Sequence, residues 1–282
     1  MVHNPNDAIK LRRILVAIDP SSHSRAALRA AAGLAKKMEA QIHGLFVQEE
    51  NWHKVSRLPF VSTVNELTGD THTLEEQYLQ KQIEMLAHRL RRQLKAISHR
   101  NKISHSWRTV QGRVEDEILQ AAEDADLITI GRRGISFPEK RKLGSTAKTI
   151  IRNADKPILI LKKGLTLGKT ITSVYDGSKE SQRCIRLALA LAEKNESKLT
   201  ILALGNKPGA ANERIKELEQ QVHRAPVKVE VVMLKNPDMW GFTHSVNRRR
   251  TGLLIIPKNQ PLLKHTLETV LYQINCPLLL MN

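Results

Sequence analysis

A chain of 282 residues, 41% hydrophobic and 26% charged, is long enough for about two domains, each with its own core, and too apolar to be disordered. No apolar run approaches the ~20 residues of a membrane-crossing helix, so none is expected. The net charge of +17 is shared: 28 basic against 18 acidic residues over 1–163, and 17 against 10 over 164–282. This rules out an appended basic tail and favours polyanionic partners in general, whether nucleotide phosphates, nucleic acid or an anionic membrane surface.

Residues 1–10 lack the apolar core of an export signal. Cys184 and Cys276 form no CxxC pair; one lies among the apolar residues of a predicted helix and the other before a predicted strand, so both read as inert core thiols. A reduced, cytoplasmic protein is the expectation. The 11 histidines show no HExxH or clustered ligand spacing, so no metal site is expected, and no GxSxG or Cys–His arrangement points to hydrolysis.

In chain order, Arg13-Ile-Leu-Val-Ala-Ile-Asp19-Pro-Ser predicts a buried strand ending in an acid and a turn. An Ala- and Leu-rich helix follows over Ser22–Met38, then a strand over Ile42–Val47. Residues 49–73, with Trp52, Pro59 and Gly69, are long for an α/β connection and read either as a lid or partner site or as a loop burying Phe60. Next comes a long helix with its packing face on Leu74, Ile83, Leu86, Leu90, Leu94 and Ile97. Its basic residues, Arg89, Arg91, Arg92, Lys95, Arg100 and Lys102, read as a solvated face. Gly112 permits a tight turn before a helix over Glu115–Ala122.

The strand Asp126-Leu-Ile-Thr-Ile130 opens the most informative stretch, Gly131-x2-Gly134-x9-Gly144-Ser145-Thr146, which ends at a helix over Ser145–Asn153. Strand, glycine-bounded loop and helix N-terminus in that order make a phosphate cradle: glycine lets backbone approach an anion, and the first N–H groups of the helix point at it. The bland alternative is a structural turn with Gly144-Ser145 capping a helix. Arg132 and Arg133 lie between the first two glycines, with Lys140, Arg141 and Lys142 further along; they either chelate phosphate or project into solvent. A strand over Lys156–Leu161 closes the unit.

The unit then repeats. Thr170-Ile-Thr-Ser-Val-Tyr-Asp176-Gly-Ser matches the first strand at an offset of 157, and the strand Leu199–Leu204 keeps that offset. Gly252–Pro257 matches Asp126–Gly131 at an offset of 126, and Cys276–Met281 matches Lys156–Leu161 at 120. The second copy therefore lacks 31 residues between its second and fourth strands and six more within the phosphate loop, where Pro257-Lys-Asn-Gln-Pro-Leu-Leu-Lys264 has no glycine. Two α/β domains are expected, 1–163 with the loop and 169–282 without it, linked by Gly164–Gly168. Asp176 then reads as structural.

The strand Ile14-Leu-Val-Ala-Ile-Asp19, the strand end at Val47, Gly112 before its helix, the G-x2-G-x9-G-S/T loop and the Lys-Pro-Ile-Leu-Ile-Leu ending resemble a tandem member of the universal stress protein family. The resemblance implies two open five-stranded parallel sheets of order 3-2-1-4-5 sandwiched by helices, of the adenine nucleotide-binding α-hydrolase-like kind. It implies ATP, with or without Mg2+, at the strand C-terminal ends. Asp19 and Val47, with Ala17 and Ile130, then seat adenine and ribose; Gly131, Arg133, Gly134, Gly144, Ser145 and Thr146 hold phosphates. It also implies pairing of the last strands, here Pro157–Leu161 with Pro277–Met281 inside one chain, and allows a further homodimer.

The expected function is a cytoplasmic stress-response protein that binds ATP in its first domain and acts by conformation or association, with little or no catalysis. Phosphoryl transfer needs acids beside the cradle, and sequence places only Asp19 there. The alternative is a nucleotide-independent adaptor whose basic surface binds nucleic acid, membrane or an acidic protein. Nucleic acid is disfavoured, because Arg248-Arg249-Arg250 shows no aromatic neighbour for base stacking.

Overall fold

A computed structural model describes residues 11–49, 62–64, 71–73, 76–134, 143–205, 218, 222, 225–235, 238–261 and 267–282. The first half runs β1 (Arg13–Ala17), α1 (Ser22–Met38), β2 (Gln41–Glu49), β3 (Ser62–Val64), β4 (Thr71–Thr73), α2 (Glu76–Asn101), β5 (His105–Gly112), α3 (Val114–Ala122), β6 (Leu127–Gly131), α4 (Ser145–Asn153) and β7 (Ile158–Leu161). The second half runs β8 (Ile171–Tyr175), α5 (Lys179–Lys194), β9 (Leu199–Gly205), β10 (Val229–Lys235), α6 (Met239–Arg248), β11 (Leu253–Pro257), α7 (Leu267–Gln273) and β12 (Leu278–Met281).

Ten strands form one sheet in the order β10-β9-β8-β11-β12-β7-β6-β1-β2-β5, while β3 and β4 pair separately. Within each half the order is 3-2-1-4-5 and every ladder is parallel, as the family resemblance implied. At the centre, β7 and β12 pair antiparallel, with Leu159 opposite Leu279 and Ile158 and Ile160 opposite Leu280 and Leu278. The strands that end the two halves are thus not edges; β10 and β5 are.

The apolar runs are continuous because both faces of the sheet are covered. Side chains alternate between two cores. Ile14, Val16, Leu159, Ile255 and Leu279 join α1, α2 and α5 on one face. Leu15, Ile128, Ile158, Ile160, Ile256 and Leu278 join α3, α4, α6 and α7 on the other. On α2, Leu79, Ile83, Leu90 and Leu94 are buried at helical spacing. Leu74, placed on that face from the sequence, lies outside the described residues. Cys184 and Cys276 are buried free thiols; burial pushes both up, Cys276 to about 12, which keeps the reactive thiolate scarce.

The helix starts have local causes. Ser21 caps α1 by accepting the Ser24 N–H at 3.0 Å, and Ser178 caps α5 by accepting the Ser181 N–H at 3.1 Å. In the first turn of α1, buried His23 accepts the Lys163 N–H through Nδ1 at 3.1 Å and so ties the helix to the exit of β7.

This architecture sets two expectations for stability. Leu159→Ala and Leu279→Ala should each cost about 2–4 kcal/mol, and the double variant should cost less than the sum because the two residues face each other; urea unfolding of all three checks this. Burial, with Arg133 and Arg132 nearby, pulls the pKa of His23 down from 6.5 to about 4. The unfolded chain then takes up a proton at a pH where the folded chain does not, so stability falls as pH drops from about 6.5 to about 4. A loss of about 2 kcal/mol is expected between pH 7 and pH 5. His23→Asn, which keeps an acceptor but does not titrate, should remove that slope.

Candidate functional site

A cavity of about 600 Å³ opens at the C-terminal ends of β1, β2 and β6, and all ten residues selected from the sequence line it. In open α/β sheets this is the topological switch point, where connections diverge and leave a crevice. Ala17, Asp19, Val47 and Ile130 form the strand-end wall; Gly131, Arg133, Gly134, Gly144, Ser145 and Thr146 form the loop side.

The carboxylate of Asp19 is held firmly. Its Oδ1 accepts the Ser21 N–H at 2.8 Å, and its own N–H donates to Ser24 Oγ at 2.9 Å. Burial pushes its pKa up, opposed by the hydrogen bonds from Ser21 and Ser24 and by Arg25. Asp176 repeats the arrangement, accepting the Ser178 N–H at 2.9 Å. One oxygen therefore serves the strand-to-helix turn in both halves. The other oxygen of Asp19 differs in setting: Oδ2 lies 3.1 Å from where a Cβ on Gly134 would stand. At the matching place in the second half, offset by 126, stands Gln260, only 3% exposed.

The glycines are required by close approach. A Cβ on Gly131 would lie 2.9 Å from the carbonyl carbon and Cβ of His23, so only glycine lets α1 cross the end of β6 here. Gly144 N–H donates to the Arg132 carbonyl at 3.1 Å, which closes the base of the loop. Gly144 is also the N-cap of α4 and offers no capping side chain, and among the described residues no side chain claims the first N–H groups of that helix. Ser145, Thr146 and Ala147 line the cavity, which places the positive end of α4 on it.

Several residues fall where sequence did not put them. Arg132 neither lines the cavity nor meets solvent: it is 4% exposed and its Nη1 donates to the Leu271 carbonyl of α7 at 3.2 Å, whereas neighbouring Arg133 lines the cavity. Glu115, at the start of α3, accepts from Thr146 Oγ1 at 2.9 Å and so brings a second acid to the loop helix. Arg89 and Arg92, read as purely solvated, are exposed but border the cavity together with Met85, Leu86 and Ile83 of α2. The spacing 82, 85/86, 89, 92 is one helical face and carried that signal. Trp240 stacks on His244 at 4.9 Å between ring centroids, on the helix that ends at Arg248.

Lys140, Arg141, Lys142 and the Leu58-Pro59-Phe60 segment lie outside the described residues. Among the described residues no group of three or more His, Cys, Asp or Glu side chains is placed to hold a metal, and no helix is long and apolar enough to cross a membrane.

The sequence pattern of the universal stress protein family matches residues 10–162. The chain is 27% identical over 154 residues to a universal stress protein from Methanocaldococcus jannaschii, covering 54% of this chain and 82% of that one. It is 31% identical over 156 residues to one from Thermus aquaticus, covering 54% and 98%. Over nearly its whole length, 97% of this chain and 98% of the other, its fold is similar to that of a universal stress protein from Archaeoglobus fulgidus, with a TM-score of 0.72 at 17% identity. With the pattern spanning more than half of the residues, this chain belongs to the universal stress protein family.

Proposed function

We propose that this stress-response family member binds ATP in the cleft of its first half and acts by conformation or association rather than by turnover. The observation that carries the reading is the glycine-capped N-terminus of α4 opening onto the same cavity as Asp19, Val47 and Arg133. Such a helix end favours negative charge, and Arg133 adds a cation beside it. Asp19, Val47, Ala17 and Ile130 would meet the base and ribose; Gly131, Gly134, Gly144, Ser145 and Thr146 would meet the phosphates. If Mg2+ accompanies the nucleotide, the Thr146 hydroxyl and the Glu115 carboxylate offer the hard oxygen donors it prefers, with phosphate and water completing the shell.

In this reading residues 1–163 and 169–282 are two domains, paired within the chain through β7 and β12, and the second is a partner without a site of its own. Gln260 supports that reading, since its buried side chain stands where the first half has Gly134. The protein works in the cytoplasm.

A second reading, an adaptor for polyanions, is favoured by the exposed cations of α2 and of the residue that follows it. There Arg89, Arg91, Arg92, Lys95, Arg100 and Lys102 are all exposed, and no ion pair among the described residues includes them.

Titration calorimetry separates the two. Wild type should bind ATP, and Gly134→Val, which drives a branched side chain against Asp19, should bind at least ~50-fold more weakly while unfolding at a similar urea concentration. Equal binding by both, or none by either, overturns the nucleotide reading. Under the second reading, an oligonucleotide should bind both proteins alike and lose about 100-fold or more in affinity between 50 and 200 mM salt.

A further inference from the structure

Arg132 has a counterpart. Moved by the offset of 126 that relates β6 to β11, it falls on Lys258, and the two do the same thing in opposite directions. Arg132 N–H donates to the Leu161 carbonyl at 2.7 Å, and Lys258 N–H donates to the Met281 carbonyl, the matching residue of β12, also at 2.7 Å. The Arg132 side chain crosses to the last turn of α7 and donates to the Leu271 carbonyl at 3.2 Å. The Lys258 side chain crosses the other way and donates to the Ala154 and Arg152 carbonyls, at 2.8 and 3.3 Å, at the end of α4. Each half thus places a cation on the negative end of the other half's last helix, where orphan carbonyls and the helix dipole favour it.

The symmetry ends at the next residue. After Lys258 the chain makes a short turn, with Gln260 N–H on the Pro257 carbonyl. After Arg132 it enters the glycine loop: the Arg132 carbonyl holds the Gly144 N–H, Arg133 lines the cavity, and the Cα of Arg133 lies 3.3 Å from where a Cβ on Gly144 would stand. A guanidinium that is 4% exposed and held at the Leu271 carbonyl has little room to move, so its side chain constrains the backbone on either side of it.

We propose that Arg132 is a positioning residue through which α7 of the second half sets the positions of Arg133, Gly134 and Gly144 at the anion site of the first. The second half then belongs to the nucleotide site without touching ligand, and nucleotide binding reports back to α7. The inference rests on the nucleotide reading above.

The test uses the full chain, with ATP as probe, and the variants Arg132→Met, Arg132→Lys and Lys258→Met. Calorimetry gives affinity, and amide hydrogen exchange over residues 267–273 is followed with and without saturating ATP. In wild type, ATP should slow exchange in α7. Arg132→Met should weaken ATP on the order of 10-fold and erase the ATP-dependent change in α7 even at saturation. Arg132→Lys, which installs the side chain the other half uses, should recover affinity to within about threefold and restore the change. Lys258→Met severs the reciprocal contact and should lower the urea midpoint while leaving ATP affinity within about threefold of wild type. If wild type binds ATP with no response in α7, or if Lys258→Met weakens ATP as much as Arg132→Met does, the inference is wrong and the nucleotide reading stands. If wild type binds no ATP, both fall. The wild-type exchange measurement decides the matter even if Arg132→Met does not fold.

Discussion

The antiparallel ladder between β7 and β12 is the contact on which the rest of this molecule depends. A parallel α/β unit of order 3-2-1-4-5 leaves its fifth strand with an unpaired, apolar edge, which invites association. Here two such edges meet inside one chain. The run Ile158–Leu161 on one side faces Leu278–Met281 on the other, and all eight residues are buried. Because the ladder is antiparallel, it relates the halves by an approximate two-fold axis, and features near it appear twice.

That duplication explains why one of the two loop arginines is buried against the other half instead of lining the cavity. The residue after the fourth strand of either half lies beside the join, within reach of the other half's last helix. A cation is favourable there for the same reason in both halves, whether or not a phosphate loop follows. Only the next residues distinguish the two halves: Arg133 and Gly134 line the cavity, whereas Gln260, at the position matching Gly134, is buried.

Much of this was legible in the chain. Helix α1 begins and ends where the Ser21 cap and the apolar spacing indicate, and α4 runs from Ser145 to Asn153 because the glycine before it and the strand after it leave no other span. The ten candidate residues converge on one cavity since strand order, once known, brings the ends of β1, β2 and β6 together. Less was legible wherever direction mattered. Adjacent Arg132 and Arg133 look alike as letters, yet at the bend just past β6 one is buried against α7 and the other lines the cavity. Glu115 is 31 residues from Thr146, and no local pattern ties the start of α3 to the start of α4. Arg89 and Arg92 satisfied the pattern of a solvated face and still border the cleft, because exposure and proximity to a cavity are compatible.

By itself, then, the sequence determined the elements, their repetition, the cap and glycine positions and the loss of the loop from the second copy, because these rest on local backbone chemistry and on hydrophobic period. Tertiary structure alone decided which cations face the cleft, which acid bonds the start of α4 and how the halves brace one another. Those outcomes depend on the orientation of side chains across contacts distant in sequence, as between Arg132 and Leu271, and no period or motif encodes that.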